Sequence, residues 1–194
     1  MATKTFVNGT VLTAVDTNMY LVTTAHLISE TVLGGASSTI TFSSIPGTYQ
    51  HLKLVARGRG SAAASTIDAK LTFNGDTGAN YARLSWEATE AAPNPAGSWA
   101  GSQTAALSFI FSAASWAASS SGDGEILIPG YASAAHHKIG LMLGAAFNGA
   151  STEQIALRQR FFVWASTAAV TSITLTASSG NFAANTQVSL YGIG

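Results

Sequence analysis

The chain has 194 residues, with 9 Lys+Arg, 9 Asp+Glu, no cysteine and a formal net charge of zero. Charged residues make up 9% of it, against about 25% in an ordinary soluble domain, while Ala, Ser, Thr and Gly supply roughly half. A neutral chain lacks the basic face that nucleic-acid binding needs and the polybasic patch that holds anionic membranes. Without cysteine there is neither a disulfide nor a thiolate metal site.

The first segment, Met1 to Phe6, has no apolar signal-peptide core. No window of about 20 residues is continuously apolar, so membrane insertion is not expected. Thr13 can cap a helix whose third position is Asp16. Val15, Met19, Val22 and His26 follow at spacings of three and four, widened by Leu21, Ala25 and Ile28. The spacing predicts a short amphipathic helix from about Ala14 to Ser29, closed by a hinge at Gly34-Gly35.

From Thr39 the pattern turns to alternation. Ile40 and Phe42 alternate with Thr39, Thr41 and Ser43, and Leu52, Leu54 and Ala56 with Lys53, Val55 and Arg57. Leu71 and Phe73 precede the turn pair Asn74-Gly75. Further strands are predicted over Tyr81 to Glu87, Ala105 to Phe111, Glu125 to Ile128, Lys138 to Leu143, Gln154 to Trp164, Val170 to Thr176 and Gln187 to Ile193. About ten short strands with no second helix predict an all-β sandwich, most simply a jelly roll. The expected division is an arm over residues 1–35 and a β domain over 36–194. Ser61 to Thr66, Thr89 to Gln103 and Ser112 to Gly124 read as loops; in the second, Pro93-Asn94-Pro95 opposes both helix and central strand.

The stretch from Phe6 to Ala14 (FVNGTVLTA), with Asp16, Asn18 and Tyr20-Leu21 behind it, resembles the N-terminal segment of tailed-bacteriophage virion proteins of minor-tail or tail-fibre type. Thr41 to Pro46, Leu71 to Gly78 with Asn80-Tyr81, Ser172 to Leu175, Gly180 to Ala184 and Ser189 to Ile193 resemble phage structural proteins as well. The resemblance implies a non-enzymatic virion component, most simply tail-associated (tail tip, fibre or receptor-binding element). Its arm would attach to the particle through Phe6, Leu12, Val15, Met19 and Val22. It implies a homo-oligomer, most simply a trimer, whose partners are other virion proteins and a host surface glycan or receptor. A capsid decoration or head-fibre protein, and a tail-borne carbohydrate-active enzyme, are the alternatives. The scarcity of charge agrees with a surface that is largely interface, since burying unpaired charge is expensive.

The remaining chemistry-bearing residues read mostly as structure, and no cofactor is expected. Asp76-Thr77-Gly78-Ala79 matches the short aspartic-protease signature, but a shared-proton Asp pair belongs after a buried strand, and this Asp follows a turn pair. Asn74, Asp76 and Asn80, or Asp123 and Glu125, offer too few carboxylates for calcium. His136 and His137, placed on a strand, would point to opposite faces, one packed and one solvated. Glu87 and Glu90 do not mark a glycosidase pair. Arg57-Gly58-Arg59-Gly60 reads as a strand end. Arg158 and Arg160 would share one face and meet acids of another subunit. Trp86 and Trp164 are expected in the core, while Trp99 and Trp116, in loops, are candidates for interface or target contact. About half of the charged residues fall between Lys53 and Glu90, so that stretch is expected to be the most solvent-exposed part of the assembled protein. The uncharged run from Ala91 to Gly122 is expected to be buried in contacts or to form an apolar tip.

Overall fold

The computed structural model describes residues 25–89, 92–148 and 155–194. The five attachment candidates Phe6, Leu12, Val15, Met19 and Val22 lie outside them, as does most of the expected helix. Among the described residues there are twelve strands: β1 (Ala25–Val32), β2 (Thr39–Phe42), β3 (His51–Gly58), β4 (Thr66–Phe73), β5 (Tyr81–Thr89), β6 (Ala92–Gln103), β7 (Ala106–Ser112), β8 (Ser121–Pro129), β9 (Lys138–Phe147), β10 (Ile155–Trp164), β11 (Ile173–Ala177) and β12 (Gln187–Ile193). They form two antiparallel sheets. The large one runs β1-β12-β3-β8-β9-β10-β5-β6 and the small one β2-β11-β4-β7. The described residues form an all-β sandwich.

Alternation builds both layers. Ile40 and Phe42 of β2, Ile67, Leu71 and Phe73 of β4, and Ile173 and Leu175 of β11 are buried on the small sheet's inner face. Leu52 and Leu54, Ile126 and Ile128, Met142, Phe162, Trp164, Val188 and Leu190 meet them from the large sheet. Phe73 sits among aromatics, its ring centroid 5.3 Å from that of Trp164 and 6.1 Å from that of Phe162. Such tilted aromatic pairs add about 0.5–1.5 kcal/mol beyond area burial.

Several expectations change. Ala25 to Ser29, read as the end of a helix, is strand: β1 pairs with β12 from Ala25↔Ile193 to Val32↔Gln187, with a register shift between Leu27 and Ser29. Residues 25–32, counted with the arm, are thus hydrogen-bonded into the sandwich. Thr89 to Gln103 is mostly strand. Pro93 and Pro95 fall on β6, at the outer edge of the large sheet, where a residue without an N–H is tolerated. In the charged stretch, β3 and β4 bury every second residue. The uncharged run divides: β7, inside it, is buried on both faces as it packs beneath β8 and β9, while Trp99 of β6 is exposed.

That close packing explains the glycines of β8 and β9. An added Cβ on Gly122 would lie 2.2 Å from the Ile110 carbonyl oxygen, and one on Gly124 3.2 Å from the Phe109 ring. On Gly140 it would lie 2.1 Å from the Phe162 ring. The inner faces of β8 and β9 therefore have no room for larger side chains at these positions.

Candidate functional site

Strand β9 reads KIGLMLGAAF, and its alternation is inverted relative to an ordinary half-buried strand. Lys138, Gly140, Met142, Gly144 and Ala146 point inward, while Ile139, Leu141, Leu143 and Phe147 stand on the outer surface. The strand cannot slip by one residue, since that would drive leucines into the space that Gly140 leaves to Phe162 and that Gly144 leaves to Met142 and the β8 backbone. Large apolar side chains are thereby locked on the solvent side.

The pairing register extends this face across the large sheet. One row runs Leu27, Tyr191, Lys53, Leu127, Leu141, Phe161, Leu84 and Trp99. The next holds Val55, Glu125, Leu143, Gln159, Trp86 and Gly97, and a third Arg57, Asp123, Ala145, Leu157 and Ala88. Phe147 and Ile155, paired with each other, extend it past the third row. Two open depressions lie on it. One of about 370 Å³ is lined by Lys53, Glu125, Leu127, Leu141, Leu143 and Gln159; one of about 570 Å³ by Val55, Arg57, Asp123, Leu143, Ala145 and Leu157. Charge lies toward one flank: Lys53 pairs with Glu125 at 2.5 Å and Arg57 with Asp123 at 3.4 Å, and Glu30 of β1, which continues the Val55 row through Ser189, accepts from Gln187 and Ser189.

The two tryptophans of this face lie over glycines. Trp86 stands opposite Gly97, whose added Cβ would come 3.4 Å from the indole Nε1, and a Cβ on Gly101 would come 2.7 Å from the Trp99 ring. Trp99 is 75% exposed, and Trp86, expected in the core, is 38% exposed with its ring edge-on to Phe161 at 5.7 Å. Trp116 is far from this face in role: it packs partly buried against the core. Its carbonyl accepts from Arg59, which also donates to the Ala117 carbonyl and Ser120 Oγ.

No family model, no curated protein and no solved structure matches this chain.

The opposite surface differs in kind. On the small sheet, Thr39 and Thr41 pair with Thr176 and Thr174, and these with Lys70 and Thr72. The Thr41 and Thr174 hydroxyls are 3.1 Å apart. One outer face of the sandwich is a threonine lattice, the other a leucine, isoleucine and tryptophan surface.

The other residues singled out by sequence are engaged in structure. Asn74 and Gly75 both have positive φ, 52° and 70°, as a tight Asn-Gly turn requires. The Asn74 side chain donates to the Ala169 carbonyl and accepts from the Thr171 and Ser172 amides. Asp76 accepts from the Gly78 amide, Asn80 Nδ2 and Trp164 Nε1, and these bonds hold its carboxyl below the ordinary aspartate value, the Trp164 bond most. Among the described residues no group of three or more His, Asp or Glu is placed to hold a metal ion. His136 and His137 lie in the turn before β9 and both are exposed, so the expected strand placement does not hold. Arg158 and Arg160 do share a face, but they meet acids of their own chain. Both bind Asp68 Oδ1, at 2.5 and 2.8 Å, and both reach Glu87 Oε1, at 3.4 and 3.2 Å.

Proposed function

We propose that this protein is a non-enzymatic structural component of a tailed-phage virion, tail-associated, and works as an assembled subunit. The observation that carries the reading is the outer face of the large sheet, where the fold fixes large apolar side chains outward and the charges stand toward one flank, most of them paired with each other. A free monomer seldom keeps so large an apolar patch exposed. The phage resemblance of the segment from Phe6 to Ala14 supplies the setting, with that segment joining the subunit to the particle.

Within the sandwich class we read a jelly roll. With the β9–β10 hairpin set aside, the layers become β2-β11-β4-β7 and β3-β8-β5-β6, two four-stranded sheets between which the chain repeatedly crosses, as in that fold. The hairpin is then an insertion between β8 and β5, and β12 and β1 extend the sheet beyond β3.

Localisation on the particle tests the function. Antibody labelling of purified virions should decorate the tail. Labelling of the capsid lattice would move the protein to a decoration or head-fibre role, and absence from virions would end the reading.

A further inference from the structure

We infer that the outer face of the eight-stranded sheet is buried against a second copy of this chain. The inference takes its setting from the assembled-subunit reading above, but it rests on the geometry of β9 and its neighbours.

Area is the first argument. The exposed parts of Val55, Leu127, Leu141, Leu143, Leu157 and their apolar neighbours through Trp99 add up to roughly 900 Å². A standard interface buries about 800 Å² per partner, and the largest apolar patch of an ordinary monomer covers about 300–600 Å². The patch is thus the size of one complete partner footprint.

Charge is the second. A self-interface juxtaposes two identical surfaces, so an unpaired charge on it would risk meeting its own kind. Here the ionised groups on the central strands are Lys53, Arg57, Asp123 and Glu125, two of each sign, and each cation already has its anion within the chain; Glu30, at the β1 edge, is held by the Gln187 amide and the Ser189 hydroxyl. Between that flank and Trp99 the polar side chain among the leucines is Gln159, which is neutral and can both donate and accept. The centre of the face brings no net charge to a copy of itself and offers little to a polar or charged partner; the one surplus charge, Glu30, stands at the β1 edge.

The third argument is the inversion of β9. Glycines lie on its inner side, Gly140 because Phe162 fills the space there and Gly144 because Met142 and the β8 backbone at Asp123 and Gly124 do, and leucines on its outer side. The strand therefore contributes its apolar volume to a layer outside the sandwich, and two such faces stacked about 10 Å apart would form a second dry layer.

The test uses the full-length chain, purified, with mass measured by sedimentation velocity and light scattering from 1 to 100 μM. The wild type should have a mass of at least twice the 19.8 kDa of one chain. Leu143→Lys/Leu157→Lys should weaken association by at least about 100-fold and sediment as a monomer with an unchanged far-ultraviolet circular dichroism spectrum. Should the lysines prevent folding, Leu143→Thr/Leu157→Thr keeps strand propensity and should show the same direction. Thr174→Lys, on the threonine face, should leave the mass unchanged. A monomeric wild type at 100 μM overturns the inference, as does a folded double variant that keeps the oligomer mass. A wild type found on virions yet monomeric alone defeats the inference and leaves the virion role standing; an oligomer broken by the leucine variants but absent from virions does the reverse.

Discussion

The indole Nε1 of Trp164 donates to the Asp76 carboxylate at 2.7 Å. Trp164 ends β10 in the large sheet, and Asp76 lies in the connection that leaves the small sheet after β4. The same connection is gripped by Tyr81, whose hydroxyl donates to the Asp76 carbonyl and accepts from the Phe73 amide. A short stretch that resembles a protease signature is in fact the clasp where the chain changes layers.

Replacing Asp76 with Ala leaves the buried Trp164 indole N–H without an acceptor and should cost about 1–2 kcal/mol, toward the lower end because the carboxylate is partly open to solvent. The carboxyl's pKa is lowered in the folded state. This contribution is therefore complete above the unfolded value near 3.8 and is lost as pH falls through the folded one. Urea midpoints of wild type and Asp76→Ala should converge as pH is lowered from 5 to 2.

Tyr81 gives the opposite sign. Burial pushes its hydroxyl up to about 12 from an ordinary 10.0, so its contribution is complete below pH 10 and falls as pH rises toward 12. Tyr81→Phe should lose about 1–3 kcal/mol at neutral pH, from the unpaired Phe73 amide. It should also lose stability less steeply than wild type in that alkaline window, read by thermal unfolding.

Arg160 is fully buried and leans on Asp68, Glu87 and the Ser108 carbonyl. Removing Asp68 strands a buried cation, so Asp68→Ala should cost about 3 kcal/mol or more. Glu87→Ala should cost less, since Glu87 is more exposed and farther from the guanidinium. Arg160→Met added to Asp68→Ala should recover much of the loss, because a buried pair exchanged for apolar groups is often neutral. A double-mutant cycle in urea decides it.

How far the sequence announced this structure depends on the distance over which each feature is determined. Alternation placed β2, β3, β4, β9, β10 and β12 because a strand's pattern is local. It failed at Ala25 to Ser29, where apolar spacings of three and four also fit a strand whose register shifts at Leu27. It failed at Pro93-Asn94-Pro95, because a proline that rules out a central strand does not rule out an edge. The candidate face was hidden for a different reason. The sequence of β9 alternates cleanly, but which half faces inward is decided by Phe162 and by the β8 backbone at Asp123 and Gly124, both outside any strand-length window. The partners of Arg158 and Arg160 were likewise out of reach, since Asp68 lies about 90 positions from both.

Gly122 provides a sharp check on the close approach of β7 to β8. Its Cβ would strike backbone, at 2.2 Å from the Ile110 oxygen and 2.6 Å from the Phe111 Cα, so Gly122→Ala should cost about 2–3 kcal/mol. Gly34→Ala, with nothing within 4 Å, should leave the urea midpoint nearly unchanged.

The positions of β11 and β12 have a consequence for how the chain is made. β11 lies between β2 and β4, and β12 between β1 and β3. Neither sheet can close around its early strands until both of these late strands have left the ribosome. During synthesis the N-terminal strands must wait with open ladders and uncovered apolar sides, and this sequence has few charges to keep such intermediates apart. Folding is therefore a race between the arrival of the last strands and encounters with other nascent chains.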